Sequence, residues 1–443
     1  MSAETRLVGA TIVTQDTANT IITDGELAFD ASGVITYVGP TRGPAGSGDR
    51  DLSGQILLPG LVNAHTHSAM TLMRGSCDDS DLATWLGVVQ SLEQHLTPQD
   101  VAAGLRLAMV EMIRTGTTTF ADMYHWDAAL LGEVVSAGMR VVAAHSFFDF
   151  ADVGFSTVSP MNGREALEHT EALAREFAGE KLVRVRYGPH APYTSSFEML
   201  TEVARRAEKH GLGIQIHLAE SAFEVEQNLT NYGTTPILHA DKAGLFSVPT
   251  LVAHVVHPTE EEIQLLAARG AGVSHNPVSN LKLGSGIAPL PALQKAGVLL
   301  GLGTDGAASN NDLDLFEEIK TGSLIHRGVA QQPDITAGTD LLRMATATGA
   351  AAVGFPEVGV LEPGRWADVI ALQTSTSRAT PMFSPTAFLS FAARGSDVSD
   401  VFIGGQAVME AGRLTTLDET AVRAEAEAAA ARLQNLASTR AEK

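Results

Sequence analysis

The sequence is poor in cysteine, in basic side chains and in long apolar runs, and each shortage excludes a class of protein. Cys77 is the single cysteine among 443 residues, which excludes an intramolecular disulfide and any zinc site built from clustered cysteines. The 30 Lys and Arg residues stand against 51 Asp and Glu, so the formal net charge is −21 and no basic surface is available for nucleic acid or anionic lipid. Any metal ion must therefore be held by histidines and carboxylates.

Membrane and secretory signals are also missing from the sequence. No segment reaches the roughly 18 consecutive apolar residues that a transmembrane helix needs. Residues 1–14 lack the basic start and the apolar core of a signal peptide. We therefore expect a cytoplasmic protein with a small-molecule substrate and with no membrane or nucleic-acid partner; a homo-oligomer is compatible with the sequence.

Short strand-like runs lie near both ends of the chain. Residues 5–39 contain LVGATIV, ELAFD and VITYVG, separated by Asp-Gly and Ser-Gly pairs that are typical of hairpins. Similar runs, ADVIAL and DVFIGGQAVMEAGRL, return near the C-terminus. We expect residues 1–58 and 364–443 to form one composite β-sandwich domain, with a C-terminal helix over the Ala- and Glu-rich residues 419–443.

Residues 59–363 show strand-like runs that alternate with helix-length segments. Eight apolar runs recur: ILLPGLVNAHTH, TTTFADM, RVVAAHSF, VRVRYGPH, GIQIHLAE, TLVAHVVH, AGVSHNP and VLLGLGTDG. Eight such units predict an α/β fold, a closed (β/α)₈ barrel, with a doubly wound open sheet as the alternative. No G-x-G-x-x-G or G-x-x-x-x-G-K-[ST] motif follows any of the runs, so a nucleotide-cofactor version of the open sheet has no support.

Histidines and an aspartate fall at the ends of these runs. In a barrel the carboxyl ends of the strands form one rim, so side chains that are far apart in sequence converge there. His65 and His67 have i, i+2 spacing, which places both imidazoles on the same face of a strand. With His217 and Asp305 they supply three nitrogens and one carboxylate, a set suited to a divalent ion such as Zn²⁺ with one position left for water.

Two further residues on this rim are candidates for proton transfer. Glu220 lies three positions after His217 and is expected to face the same opening, where burial and a nearby cation would adjust its pKa. His254 is a candidate to orient or deprotonate the attacking water. Structural roles are expected for the remaining histidines that have no such company: His125, His239, His275 and His326.

The motifs that carry these residues resemble one known family. LLPGLVNAHTHSAMTLMRG, YGPHAPYT, HLAE, VAHVVH, SHNPVSNLKLGSGIAP and GLGTDGAASNNDLDLFEE occur in order and are similar to the metal-dependent amidohydrolase superfamily, in the branch of purine-type and triazine-type deaminases and chlorohydrolases. The resemblance implies a distorted (β/α)₈ TIM barrel with a small β-sandwich built from both termini. It implies metal ligands at His65, His67, His217 and Asp305, and catalytic roles for Glu220, His254 and Asp305.

The same resemblance implies one divalent metal, with Zn²⁺ as the first choice and Fe²⁺ or Mn²⁺ as alternatives. Members with two metals use a carboxylated lysine on the fourth strand, and VRVRYGPH has no lysine. Among the members that deaminate adenosine-like compounds, the positions of His190, Trp85, Glu93 and Glu220 contact the substrate. An arginine that often ends the third strand is replaced here by His145, which disfavours an anionic amino-acid tail such as that of S-adenosylhomocysteine.

The function predicted from the sequence is hydrolytic deamination of an amino-substituted nitrogen heterocycle, with a purine nucleoside or base of adenosine type as the substrate. Three alternatives stay open at this point. They are a triazine-type chlorohydrolase or aminohydrolase, a cyclic-amide hydrolase, and a catalytically silent scaffold that retains the fold.

Overall fold

Eight parallel strands close into a barrel in the computed structural model, which describes residues 4–441. The closed order excludes the open doubly wound sheet and confirms the predicted (β/α)₈ architecture. The strands are β1 (Thr5–Val13), β2 (Ile21–Phe29), β3 (Ile35–Pro40), β4 (Arg50–Asp51), β5 (Gln55–Pro59), β6 (Leu61–Thr66), β7 (Thr117–Tyr124), β8 (Arg140–Phe147), β9 (Val153–Phe155), β10 (Ser159–Asn162), β11 (Val183–Pro189), β12 (Gly213–Leu218), β13 (Thr250–His254), β14 (Gly272–His275), β15 (Leu299–Leu302), β16 (Val369–Gln373), β17 (Val398–Ile403), β18 (Gln406–Glu410) and β19 (Arg413–Leu414).

Helices cover the outside of the barrel and carry the loops at its rim. They are α1 (Leu82–Glu93), α2 (Pro98–Arg114), α3 (Ala128–Ala137), α4 (Gly163–Glu176), α5 (Phe197–His210), α6 (Ala222–Tyr232), α7 (Pro236–Lys242), α8 (Glu260–Arg269), α9 (Pro277–Lys282), α10 (Leu290–Ala296), α11 (Ala307–Asn310), α12 (Leu315–Ala330), α13 (Gly338–Met344), α14 (Ala347–Val353), α15 (Pro385–Phe391) and α16 (Glu419–Ala441). The last of these is the helix predicted at the C-terminus; residues 442–443 of that prediction lie outside the described residues.

Local sequence signals explain where several of these helices begin and end. The α2 helix starts with a capping box between Thr97 and Asp100 and has Pro98 in its first turn, where the missing N–H costs nothing. The α5 helix ends at Gly211, whose φ of 64° is the left-handed conformation that glycine adopts without strain. The apolar faces of these helices then pack on the barrel strands, whose side chains belong to one large hydrophobic cluster and one smaller one.

The barrel closes along the seam between its last strand and its first. In the order β11-β12-β13-β14-β15-β6-β7-β8, the pair β15 and β6 is joined by only one register position, Leu302 with Asn63. Side chains complete the seam, since the Asn63 amide donates to Thr304 Oγ1 at 2.7 Å and accepts from Thr304 N at 3.1 Å. This irregular seam is one source of the distortion of the barrel.

Strands from both ends of the chain form a second, nine-stranded sheet. Its order is β19-β18-β17-β16-β5-β1-β2-β3, with β4 paired to β1, and it is the small β-sandwich domain expected from the terminal runs. The first predicted barrel run, ILLPGLVNAHTH, divides at Gly60 into β5 of this sheet and β6 of the barrel. A side chain at Gly60 would collide with Thr118. The domain limits at 58/59 and 363/364 stay predictions.

A buried ion pair joins the sheet to the barrel. Arg140, at the start of β8, donates from Nε and Nη2 to the two carboxylate oxygens of Asp368 at 2.7 and 3.0 Å. Both residues are only 1% exposed. Gly404 N donates to the same carboxylate and Arg140 Nη1 donates to Lys181 O, so each charge has several partners. Separately, no helix in residues 4–441 has both the length and the apolar character required to cross a bilayer.

Substitution of Asp368 by Ala should strongly destabilise the fold, because it leaves the Arg140 guanidinium buried without a counter-charge. We expect the free energy of unfolding to fall by about 3 to 5 kcal/mol. The measurement is urea denaturation followed by circular dichroism. Asp241→Ala is the control, since Asp241 pairs with Arg269, which is half exposed, and should cost less than about 1 kcal/mol. Equal losses in the two variants would contradict the structural role of the buried pair.

Candidate metal centre and active site

Four side chains from distant parts of the chain converge at the carboxyl end of the barrel. His65 lies near the end of β6, and His67 directly follows that strand. His217 is the penultimate residue of β12, and Asp305 follows β15. All four are buried. Two groups within this region have ligand atoms within 4.8 Å of one another: His65, His67 and His217, and His65, His254 and Asp305.

The Asp305 carboxylate lies at the centre of this arrangement. Its Oδ1 is 3.3 Å from His65 Nε2 and 3.2 Å from His67 Nε2. The Nε2 atoms of His67 and His217 are 3.4 Å apart. Nitrogen and oxygen atoms with lone pairs are thus directed at one small space, which is the geometry of a site for a cation.

Backbone carbonyls fix the orientation of two of the imidazoles. His67 Nδ1 donates to Met123 O at 2.5 Å, and His217 Nδ1 donates to His190 O at 2.9 Å. Because Nδ1 carries the proton in each neutral ring, Nε2 presents a lone pair to the centre of the site. Such outer hydrogen bonds are typical of histidines that bind metal ions.

His65 provides a further test of whether the site fits a metal ion. Its Nε2 is fully buried and has no hydrogen-bond partner among the described residues, and the same holds for Gln215 Oε1. The Gln215 amide lies 3.1 Å from His65 Nδ1. With the amide oxygen turned to this position it accepts from Nδ1–H, and the lone pair on Nε2 is left free to bind a cation.

The charge states of the four groups match the same chemistry. Burial lowers the pKa of His65 to about 4 and the pKa of His217 well below its ordinary value. Burial acts to raise the pKa of Asp305, but its contacts with His65 and His67 hold that pKa well below the usual range. For His67 burial opposes protonation, yet the hydrogen bond to Asp305 raises the pKa to about 9. His65 and His217 are therefore neutral beside an ionised Asp305, which are the charge states in which these groups bind a cation. A cation at the centre would replace the proton that Asp305 favours on His67.

Two serines, which the sequence analysis did not identify, orient the aspartate. Ser279 Oγ and Ser309 Oγ each donate to Asp305 Oδ2 at 2.7 Å. Oδ2 is therefore held by hydrogen bonds, while Oδ1 remains directed at the histidines. Ser279 lies within the SHNPVSN motif, which was the only signal in the sequence that could have indicated it.

Glu220 and His254 face the same space from the neighbouring strands. His254 Nε2 is 3.7 Å from Glu220 Oε2, and His254 Nδ1 lies 2.9 Å from Asn280 Oδ1. Burial raises the pKa of Glu220 above its ordinary value, which favours the protonated acid. A second buried glutamate, Glu224, accepts hydrogen bonds from the backbone N–H groups of Ala219 and Glu220 at 3.0 and 2.8 Å and fixes the turn that carries Glu220.

Left-handed backbone conformations concentrate at this rim. Positive φ angles occur at Ala219 (54°), His254 (75°), Val255 (49°) and Asp305 (59°). A β-branched residue such as Val255 rarely adopts this conformation, and each such residue costs about 1 to 3 kcal/mol. Strain of this kind is typical of sites where side chains are held in a required direction.

A cavity of about 360 Å³ adjoins the histidine cluster and is lined by the residues that were predicted to contact the substrate. Trp85 and Glu93, both on α1, line it together with His190. The Trp85 indole N–H donates to Ala308 O, and Glu93 accepts a 2.6 Å hydrogen bond from Tyr124 OH. Burial raises the pKa of Glu93. The structure thus places all three residues in the wall of the same cavity as His217, Glu220 and Asp305.

The chemical character of the cavity wall restricts what it can hold. Among the described residues no lysine or arginine lines it, whereas four acidic residues do: Glu93, Asp152, Glu220 and Asp305. Apolar and aromatic side chains that the sequence analysis did not assign complete the wall, among them Phe148, Phe155, Tyr193 and Leu283. The cavity suits a neutral, partly aromatic molecule.

The other histidines form contacts away from the cluster. His145 packs between His125 and His169, with ring centroids 5.3 and 4.9 Å away. His275 and His326 are joined through their Nε2 atoms at 3.3 Å. None of these five lines the cavity within the described part of the chain.

Comparisons with known proteins agree with this architecture. The model of the amidohydrolase family matches residues 56–408. A 5-methylthioadenosine/S-adenosylhomocysteine deaminase of Pelotomaculum thermopropionicum is 41% identical over 96% of this chain and 98% of its own length.

Solved structures are similar over nearly the whole chain. An adenosine deaminase of Xanthomonas campestris with bound zinc has 32% identity and a TM-score of 0.92, covering 97% of this chain and 98% of that one. A zinc complex of atrazine chlorohydrolase from Arthrobacter aurescens has 26% identity and a TM-score of 0.88, covering 96% and 100%. The chain described here belongs to the amidohydrolase family.

Proposed function

We propose that the protein is a metal-dependent hydrolytic deaminase that acts on a purine nucleoside of adenosine type. The observation that carries this proposal is the buried Glu220 carboxyl, which lies 3.7 Å from His254 and lines the same cavity as His67, His217 and Asp305. A protonated acid beside a cation site is what acid-assisted removal of an amino group requires. The named activities of the similar deaminases support the same reaction class.

The proposed metal ligands are His65, His67, His217 and Asp305. Three nitrogens and one carboxylate fit Zn²⁺ and also Fe²⁺ or Mn²⁺, and we propose a single Zn²⁺. The zinc in the two similar structures supports this choice. When bound, such an ion supplies Lewis-acid activation of water at neutral pH.

The chain's own residues then handle the protons. Water adds to the carbon that bears the amino group, Asp305 accepts a proton from that water, and His254 holds the water through its Nε2. Glu220 donates a proton to the neighbouring ring nitrogen, which removes the aromatic stabilisation that resists addition. The C–N bond breaks as the amino group takes up the proton held by Asp305 and leaves as ammonia. The hydroxyl proton of the adduct passes to Glu220 as the C=O bond forms, which restores the acid for the next turnover.

The proposed substrate contacts come from α1 and β11. Glu93, held by Tyr124, can accept hydrogen bonds from ribose hydroxyls, and His190 can contact the sugar from the opposite wall. The buried Trp85 shapes the apolar wall. Because no lysine or arginine lines the cavity within residues 4–441, a neutral 5′ substituent is favoured over an amino-acid carboxylate.

Halide displacement from a triazine is the second candidate function. It is supported by the similarity to atrazine chlorohydrolase, whereas the buried Glu220 carboxyl in the cavity wall favours deamination. We also propose a cytoplasmic location, which agrees with a single cysteine in 443 residues.

The proposed substrate class can be tested with a panel of compounds. Assayed with adenosine, methylthioadenosine, S-adenosylhomocysteine, guanine and a chlorotriazine, the zinc-loaded protein should release ammonia from the first two. S-adenosylhomocysteine should have a kcat/KM lower by about 10-fold or more, because its carboxylate would stay unpaired in the cavity. Release of chloride without any release of ammonia would select the second candidate; no product from any compound would contradict both.

The proposed role of Glu220 as the acid can be tested by substitution. Glu220→Gln should keep its metal and its fold but lose about 10²- to 10⁴-fold in kcat, because the ring nitrogen no longer receives a proton. The measurement is steady-state ammonia release at matched metal content. Glu226→Gln is a matched control on the exposed face of α6 and should behave as the unsubstituted protein. A Glu220→Gln variant with near-normal kcat would remove this residue from the mechanism.

The proposed metal ligands can be tested by measuring the metal content of variants. His217→Ala and Asp305→Ala should each reduce bound zinc well below the roughly one equivalent per chain expected of the unsubstituted protein, since a three-ligand site binds more weakly. Elemental analysis after dialysis measures this. His95→Ala, which alters a histidine outside the cavity wall, is the control. Full occupancy in both ligand variants would show that the metal binds elsewhere.

A further inference from the structure

A second cleft lies in the barrel wall, at the amino-terminal ends of β11 and β12. The β11 strand pairs with β8 along Val183–Pro189 but with β12 only at Arg186 and Tyr187. The first three residues of β11 therefore have no strand partner on the β12 side. A cleft of about 740 Å³ opens at this gap, on the side of the strands away from the histidine cluster.

Arg186 is buried in the wall of this cleft, and part of its guanidinium has no hydrogen-bond partner among the described residues. It is 6% exposed, and its Nη2 donates to Val353 O at 2.8 Å. Neither Nε nor Nη1 has a hydrogen-bond partner among the described residues, and Nη1 is fully buried. Two glycines, Gly213 and Gly354, approach the guanidinium so closely that a Cβ would lie 3.1 Å from Nε and 2.8 Å from Nη2, respectively.

No acidic side chain balances the charge of this guanidinium. Burial alone lowers the pKa of Arg186 to about 10, and no carboxylate acts to raise it. A buried cation without a counter-charge is costly, since an arginine cannot give up its proton in the way that a lysine does. Buried arginines with unused N–H groups are therefore typical of sites that receive an anion from outside.

The residues around Arg186 add positive charge to the cleft. Arg175 and Arg184 also line it. Arg175 forms no ion pair within residues 4–441, and Arg184 lies 4.0 Å from Glu357, which is outside the cleft wall. One carboxylate, Glu171, is in the wall, but it is neutralised by Arg206 at 2.9 Å and accepts from Tyr187 OH. A local excess of positive charge is unusual in a chain with a net charge of −21.

We propose that this cleft binds a small oxyanion of the phosphate class, held by Arg186 Nε with Arg175 and Arg184 at its entrance. The ligand is an inorganic phosphate or the phosphate group of a small metabolite. The site is separate from the metal centre, so the proposal does not depend on the reaction assigned above.

Calorimetric titration with inorganic phosphate, at constant ionic strength, tests the proposal on the full-length, metal-loaded protein. We expect saturable 1:1 binding, which Arg186→Met should weaken by about 10-fold or more and Arg175→Ala by about 3- to 10-fold. Arg175 lies on the exposed face of α4, so the second variant is informative even where the first does not fold. The same titration with a sugar phosphate distinguishes the free ion from a phosphorylated metabolite.

Two further variants separate this site from others. Arg205→Ala removes an exposed arginine of the adjacent helix α5 that does not line the cleft, and binding should be unchanged. His217→Ala should also leave phosphate binding unchanged, although it is expected to lose the metal. The proposal is overturned if no saturable binding occurs up to about 20 mM phosphate, if Arg175→Ala binds as the unsubstituted protein does, or if the binding disappears in His217→Ala.

Discussion

Closure of the barrel between β15 and β6 is the constraint on which the candidate site depends. Asp305 is separated from His65 and His67 by about 240 residues of chain, and only this seam brings the carboxylate against both imidazoles. The seam has one strand register position, but it gains bonds from Asp305 N to His65 O and from Thr66 Oγ1 to Asp305 O. The hydrogen bonds that close the barrel thus involve the backbone of the candidate ligands His65 and Asp305, so fold and site are stabilised together.

The sequence was sufficient to predict the positions where strand ends meet. His65 and His67 share a face because strands alternate, and eight recurrent runs place His217, Glu220 and Asp305 on one rim, as the structure has them. Trp85 and Glu93 were identified only by resemblance. Both lie on the helix α1, and the apolar pattern of a helix at the rim does not indicate which of its residues face the cavity. Their roles, like those of the ligands, stay predictions that the geometry supports.

Other features depend on tertiary contacts that a sequence pattern does not contain. Ser279 and Ser309 act on Asp305 through two loops whose conformations are set by the whole barrel. The VRVR alternation of β11 is typical of a strand with one face in water. In the structure Arg184 stays exposed whereas Arg186 is buried, because β12 begins only opposite Arg186 and covers the later part of the strand.

A single residue between β5 and β6 links the small sheet to the candidate metal centre. Gly60 is the entire connection between a strand of the sheet and the strand that carries His65, and its N–H donates to Asp368 O, next to the ion pair with Arg140. A one-residue link cannot lengthen, so a displacement of the sheet would also displace β6. The terminal segments therefore anchor the strand that carries His65, and the position of this candidate ligand depends on residues far from the cavity.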